Sequence, residues 1–100
     1  MANTFKVLYR GAAATTSATL YTTPAATTTL ISSIVITNTA ATAATYTLTL
    51  NGVAFATTVA IPANDSLLIE PKQIIAATQV IAGFASAVTV SFHISGLEIT

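Results

Sequence analysis

Cysteine and tryptophan are both missing from this 100-residue chain, and only six residues carry charge, three cations against three acids. Each shortage removes a class of function. Without cysteine there is no disulfide framework and no thiolate-held metal. One histidine, His93, and three scattered carboxylates, Asp65, Glu70 and Glu98, offer neither a zinc ligand set nor an oxygen-rich calcium loop. Three cations, Lys6, Arg10 and Lys72, are too few for a reader of nucleic-acid backbone, which needs several phosphate contacts. Four glycines in no fingerprint spacing leave no phosphate-cradling loop. The most apolar stretch, residues 74–94, is broken by Thr78, Gln79, Ser86, Ser91 and His93, and from Val88 it alternates, which a membrane-spanning helix has no reason to do. Met1 to Val7 lacks the basic region and apolar core of a secretory leader. The expectation is a chain with no cofactor, no metal, no nucleic acid and no membrane among its partners.

What fills the space is small and branched. Alanine and threonine occupy twenty positions each, hydrophobic residues make up 53% of the chain, and the mean hydropathy is +0.77. A soluble domain ordinarily carries about 25% charged residues, so this surface is made of hydroxyls and methyls instead. Low charge with high hydrophobicity is the opposite of the disordered composition. A neutral, apolar-leaning surface is poorly suited to a free monomer, which points to a surface covered by neighbours in an assembly.

Along the chain, period two dominates. Phe5, Val7 and Tyr9 alternate with Lys6, Leu8 and Arg10; Gly11 to Ser17 is an aperiodic run of small residues; Thr19 to Tyr21 is a short apolar touch before Pro24. Thr28 to Asn38 reads as the strongest strand. Leu30, Ile34 and Ile36 are expected on one face, Ile31 and Val35 on the other, the mark of a central position. Tyr46, Leu48 and Leu50 alternate with threonines up to Asn51-Gly52, a hairpin signal because a type I′ turn needs positive φ at both central positions. Val53 to Ile61 returns as the partner strand, with a bulge at Thr57-Thr58. Ser66 to Ile69 follows the turn at Pro62 to Asp65, residues 74–84 hold two strand pieces, and Val88 to Ser95 alternates almost perfectly. Seven or eight short strands separated by frequent turn signals predict an all-β fold, a small antiparallel β-sandwich of immunoglobulin-like or jelly-roll-like type. Ile34, Leu48, Phe55 and Phe92 are its expected core.

Catalysis finds little to work with. Alternation puts Ser91, His93 and Ser95 on one face, opposite Phe92 and Ile94, and a flat hydroxyl face gives no sheltered cleft for a nucleophile, base and oxyanion hole. The chain is therefore expected not to be an enzyme, with no catalytic, cofactor-binding or metal residues. The remaining feature is the N-terminal segment. Lys6 and Arg10 are two of the three cations, and in an extended strand they share one face while Phe5, Val7 and Tyr9 share the other. Two accounts stand side by side: an ordinary edge strand, or an arm and linker of residues 1–17 outside a sandwich of residues 18–100, with Phe5, Lys6, Val7, Tyr9 and Arg10 as assembly contacts.

Several segments carry a resemblance: Leu20-Tyr21-Thr22-Thr23-Pro24-Ala25, Ile31 to Asn38, Ile61-Pro62-Ala63-Asn64-Asp65-Ser66, and the ending Phe92 to Ile99. They resemble small, Thr/Ala-rich, cysteine-free virion proteins of tailed bacteriophages. The resemblance implies a structural protein of the virion, located at the capsid surface. As a cement or decoration protein it would bridge capsid subunits, with the major capsid protein and further copies of itself as partners. A tail, neck or fibre component is the alternative, and a carbohydrate-binding module a third, weakened by the absence of tryptophan platforms. The resembling segments are turns and strands, so the resemblance carries no functional residue with it.

Overall fold

Branched Cβ atoms pack well on a pleated surface, and the Thr-, Val- and Ile-rich runs of this chain all become strands. The computed structural model describes residues 3–100, and among them there are nine strands and no helix. They are β1 (Asn3–Ala12), β2 (Ala18–Thr22), β3 (Thr28–Asn38), β4 (Ala44–Leu50), β5 (Val53–Ile61), β6 (Asp65–Ile69), β7 (Gln73–Ile75), β8 (Val80–Ala85) and β9 (Val90–Ile99). Asn51 and Gly52 both take positive φ, 48° and 83°, and join β4 to β5 as the hairpin signal requires.

All pairings are antiparallel and fall into two sheets. Sheet A has the order β1-β9-β3-β6, with β7 pairing the other half of β3 along the same edge, and sheet B has the order β2-β8-β4-β5. The chain can be followed as one long ribbon. Its tip is the β4–β5 hairpin, and moving away from the tip β3 pairs with β6 and β7, β2 with β8, and β1 with β9. Rolled up so that alternate pairs fall in opposite sheets, this is a jelly roll, which decides between the two sandwich types the sequence leaves open. The extents are 46 × 22 × 18 Å, long in one direction. The accessible surface of 5168 Å² is close to the roughly 5,300 Å² a folded monomer of this mass exposes.

The core lies between the sheets. Ile31, Ile34, Ile36, Val90, Phe92 and Ile94 of sheet A meet Tyr46, Leu48, Ile61, Ile81 and Ala85 of sheet B, all buried. Ile34, Leu48 and Phe92 are therefore core as expected. Phe55 is only half-buried, because β5 is an edge strand whose ladder skips that residue: Thr49 pairs with Ala54 and Leu48 with Ala56. The Thr57-Thr58 bulge is present, with Thr58 at φ 48° and its amide donating to the Thr47 hydroxyl at 3.0 Å.

Two further bulges change which residues face the core. In β3 the register with β9 shifts between Ile31 and Ser33, and in β1 it shifts between Val7 and Tyr9. One extra residue reverses the alternation beyond it. Ile31 thus joins Ile34 and Ile36 inside while Leu30 turns outward, correcting the facing expected from strict alternation. In β1, Leu8 is buried while Phe5 and Val7 are exposed.

The N-terminal segment is not an arm beside a sandwich of residues 18–100. Asn3–Ala12 is an edge strand paired with β9 from Asn3↔Ile99 to Ala12↔Ser91. The small-residue run that follows is no free hinge: Ala13 is buried, its amide donates to the Val90 carbonyl at 2.8 Å, and the Ala85 amide donates to the Ala14 carbonyl at 2.9 Å. Without these ten residues of β1 one side of the β9 ladder would be left unpaired. Met1 and Ala2, which belong to the expected arm, lie outside the described residues.

Candidate functional site

The residues singled out on β1 are divided between the two faces by the bulge at Leu8. On its N-terminal side, Phe5 pairs with Leu97, Lys6 with Gly96 and Val7 with Ser95; on its C-terminal side, Tyr9 pairs with Ile94 and Arg10 with His93. Because Gly96, Ile94 and Phe92 are buried, Lys6 and Tyr9 point to the inner side and Phe5, Val7 and Arg10 to the outer side. The expected split, cations on one face and apolar residues on the other, is replaced by a mixed one.

Outside, the pairings align an apolar row across the whole of sheet A: Phe5, Leu97, Leu30 and Ile74 are successive cross-strand neighbours on four strands. Phe5 is 88% exposed and Ile74 68%, so both ends of the row stand in solvent. Beside it, Phe5, Lys6, Val7, Ser32, Ser95 and Gly96 line a shallow depression of about 340 Å³. It opens widely to solvent and has the size of the smallest ligand pockets without their enclosure. A second row reads Arg10, His93, Val35 and Leu68.

On the inner side at the same end, Lys6 Nζ lies 3.4 Å from Glu98 Oε2, and the Tyr21 hydroxyl donates to the same carboxylate oxygen. With its one proton committed there, the Tyr21 oxygen accepts from the Thr29 hydroxyl at 3.0 Å. These four side chains come from β1, β9, β2 and β3, so the cluster clamps the two sheets together. Burial pushes the Tyr21 phenol up to about 12, and the hydrogen bond to the Glu98 carboxylate adds to this while the Thr29 hydroxyl opposes it. Burial alone raises Tyr46. Nothing in the local sequence around Tyr21 signals this cluster, since its hydrogen-bond partners Thr29 and Glu98 lie 8 and 77 residues away.

The opposite end is held by Asn38, which is fully buried. Its amide nitrogen donates to the carbonyls of Thr42, Ile61 and Pro62 at 2.8, 3.4 and 3.3 Å. Its oxygen accepts from the Ala40 amide at 3.1 Å and the Thr89 hydroxyl at 3.2 Å. One side chain thus ties three loops together, a role available to an amide because it both donates and accepts.

Ser91, His93 and Ser95 share the outer face of β9, as alternation predicts. Asp65 is not brought to them: it pairs with Asn38 at the end of the β6 edge, and its carboxylate accepts from the Ser66 amide at 2.8 Å. Among the described residues no three His, Asp or Glu side chains are grouped as metal ligands would be. All six charged residues lie on sheet A or in the break between β6 and β7, and β2, β4, β5 and β8 carry none. Thr22, Thr45, Thr49, Ala54, Ala60, Ala82 and Phe84 make sheet B an outer face of hydroxyls and hydrocarbon.

No protein-family model matches this chain, and no curated protein matches it. Among solved structures it is similar to a chain in the crystal structure of the T13 IBDV viral particle. The match has a TM-score of 0.54 at 12% identity and covers 96% of this chain and 30% of the other. The chain therefore spans less than a third of that chain's length, and the likeness is one of fold.

Proposed function

We propose that this chain is a structural component of a virus particle, and within that role a cement or decoration protein that sits on the capsid surface in many copies and bridges capsid subunits. The observation that carries the reading is the jelly roll itself, matched over nearly its whole length by part of a chain of a viral particle. The surface supports it. A face without charge is cheap to cover, because burying an ion without a partner costs far more than burying a methyl or a satisfied hydroxyl. Sheet B offers such a face, and sheet A offers an exposed apolar row.

The resemblance of several segments to virion proteins of tailed bacteriophages points to a phage shell, with the major capsid protein as principal partner. No catalytic role is assigned to His93 or Asp65. Quantitative mass spectrometry of purified particles, followed by a cryo-EM map, tests the reading. Hundreds of copies spread over the shell are expected. A few to tens of copies at one vertex would indicate a tail, neck or fibre component instead, and particles without the chain would overturn the virion assignment. In the same particles, His93→Ala and Asp65→Ala should leave occupancy unchanged.

A further inference from the structure

Sheet A ends in two edges that fit each other. The first is β1, ten residues long, and the second is the β6–β7 edge, residues 65–75. Pairings across the sheet put them at matching heights: Phe5 is level with Ile74, and Arg10 with Leu68. Their irregularities match as well. The extra residue of β1, Leu8, lies at the height where the other edge is interrupted by Glu70, Pro71 and Lys72, so the ladder each edge can still offer is broken at one common level. Phe5 and Ile74 are 88% and 68% exposed, so the apolar row stops abruptly at both edges, and Leu68, 63% exposed, ends the second row in solvent.

The charges complete the picture. The β1 edge carries Lys6 and Arg10, and Lys6 is matched by Glu98, leaving Arg10 with no ion-pair partner among the described residues. The other edge carries Asp65 and Glu70 against Lys72, an excess of one acid. Within one copy these excess charges sit on opposite sides of the sheet and cannot meet.

We propose that the chain associates with further copies of itself head to tail, the β1 edge of one copy adding to the β6–β7 edge of the next so that sheet A continues from copy to copy. The polarity is correct: β1 is antiparallel to β9, β9 to β3, and β3 to β6, so β6 of one copy meets β1 of the next antiparallel. At level register, Phe5 comes to rest beside Ile74 of the neighbour. Arg10 lies beside Leu68, with Glu70 two residues further along that edge and within diagonal reach of a long side chain. Symmetric pairing of β1 with a second β1 is the poorer solution, since it brings four cations together with no acid from either strand. The contact is small. A strand of ten residues is about 33 Å long and a sheet about 10 Å deep, giving roughly 330 Å² per partner against the ~800 Å² of a stable complex. Association is therefore weak and concentration-driven, and it is heterologous, so it propagates.

Sedimentation velocity of the purified full chain tests this without any particle, so its failure is separate from failure of the virion reading. In low salt, the wild-type mean mass should rise above 10.2 kDa as concentration approaches about 1 mM, and less so when salt screens the pair. Arg10→Glu and Glu70→Arg, each checked for an unchanged melting curve, should each lower the association constant at least about tenfold, because each sets like charges across the contact. Mixing the two variants in equal amounts should restore association, since every contact then has opposite charges. A wild-type chain that stays at 10.2 kDa, variants that associate undiminished, or a mixture that does not recover would each overturn the proposal.

Discussion

Phe92 is the largest side chain with no exposure at all, and it meets Tyr46 edge-on with ring centroids 6.2 Å apart and planes at 76°. The contact joins β9 of one sheet to β4 of the other, so the residue works as a bolt through the sandwich. Phe92→Ala should cost about 3–5 kcal/mol, which for a domain of this size lowers the melting temperature by about 12 °C or more. A thermal melt unchanged to within about a degree would mean the facing of β9 is wrong. Tyr21 supplies a different residue-scale effect. Its folded phenol ionises near 12 against about 10 in an unfolded chain, so the neutral form is the one that folding favours. The stability this contributes is complete below pH ~10 and is lost as pH rises from about 10 to about 12. Alkaline melts of the wild type should therefore fall more steeply over that window than those of Tyr21→Phe, with buried Tyr46 leaving a residual slope in the variant. Equal slopes would remove Tyr21 from the account.

Among the elements, β1 decides most. Its pairing with β9, the burial of Leu8 and the reach of Lys6 to Glu98 make it part of the sandwich. A chain lacking residues 1–12 should aggregate or fail to show a cooperative melt, because it bares the β9 edge and the core beneath Leu8. A truncated chain that melts near the wild-type temperature would restore the arm account. The β4–β5 hairpin is the other element with a clear local rule. Gly52 holds φ at 83° in open space, so Gly52→Ala meets no clash and should destabilise through backbone strain alone, by about 1 kcal/mol. Gly83→Ala differs in cause and should cost more. A Cβ there would lie 2.7 Å from Leu48 Cδ2 and 2.8 Å from the Thr47 carbonyl oxygen, and the carbonyl cannot move without breaking its strand.

At the scale of the whole molecule, the nine strands and the absence of helix among the described residues set the spectroscopic expectation. Far-ultraviolet circular dichroism should give a β spectrum with helix content well below the roughly one-third average of globular domains. The long axis of 46 Å and the segregation of all charge to sheet A and the break along its β6–β7 edge give the molecule two unlike broad faces. One is charge-free, and the other is apolar in a stripe with ions towards its edges. Such a body can be enclosed on one side while meeting copies of itself along the other, which is how the proposed particle role and the proposed edge-to-edge association fit together.

Much of this was determined by local chemistry. The period-two runs, the Asn51-Gly52 turn and the Thr57-Thr58 bulge follow from branched side chains and from backbone angles that few residues accept. They placed nearly every strand and predicted a sandwich. Strict alternation also put Ser91, His93 and Ser95 outside, because β9 takes no extra residue. What alternation could not decide was facing in β1 and β3, where Leu8 and Ser32 are each inserted against a straight partner. A bulge is a property of two strands in register, and neither Leu8 nor Ser32 differs from its neighbours in any way that announces one. For the same reason the cluster of Lys6, Tyr21, Thr29 and Glu98 and the hub at Asn38 belong to tertiary structure alone. Their partners are far apart in the chain, and only the rolling of the ribbon brings them within hydrogen-bond distance.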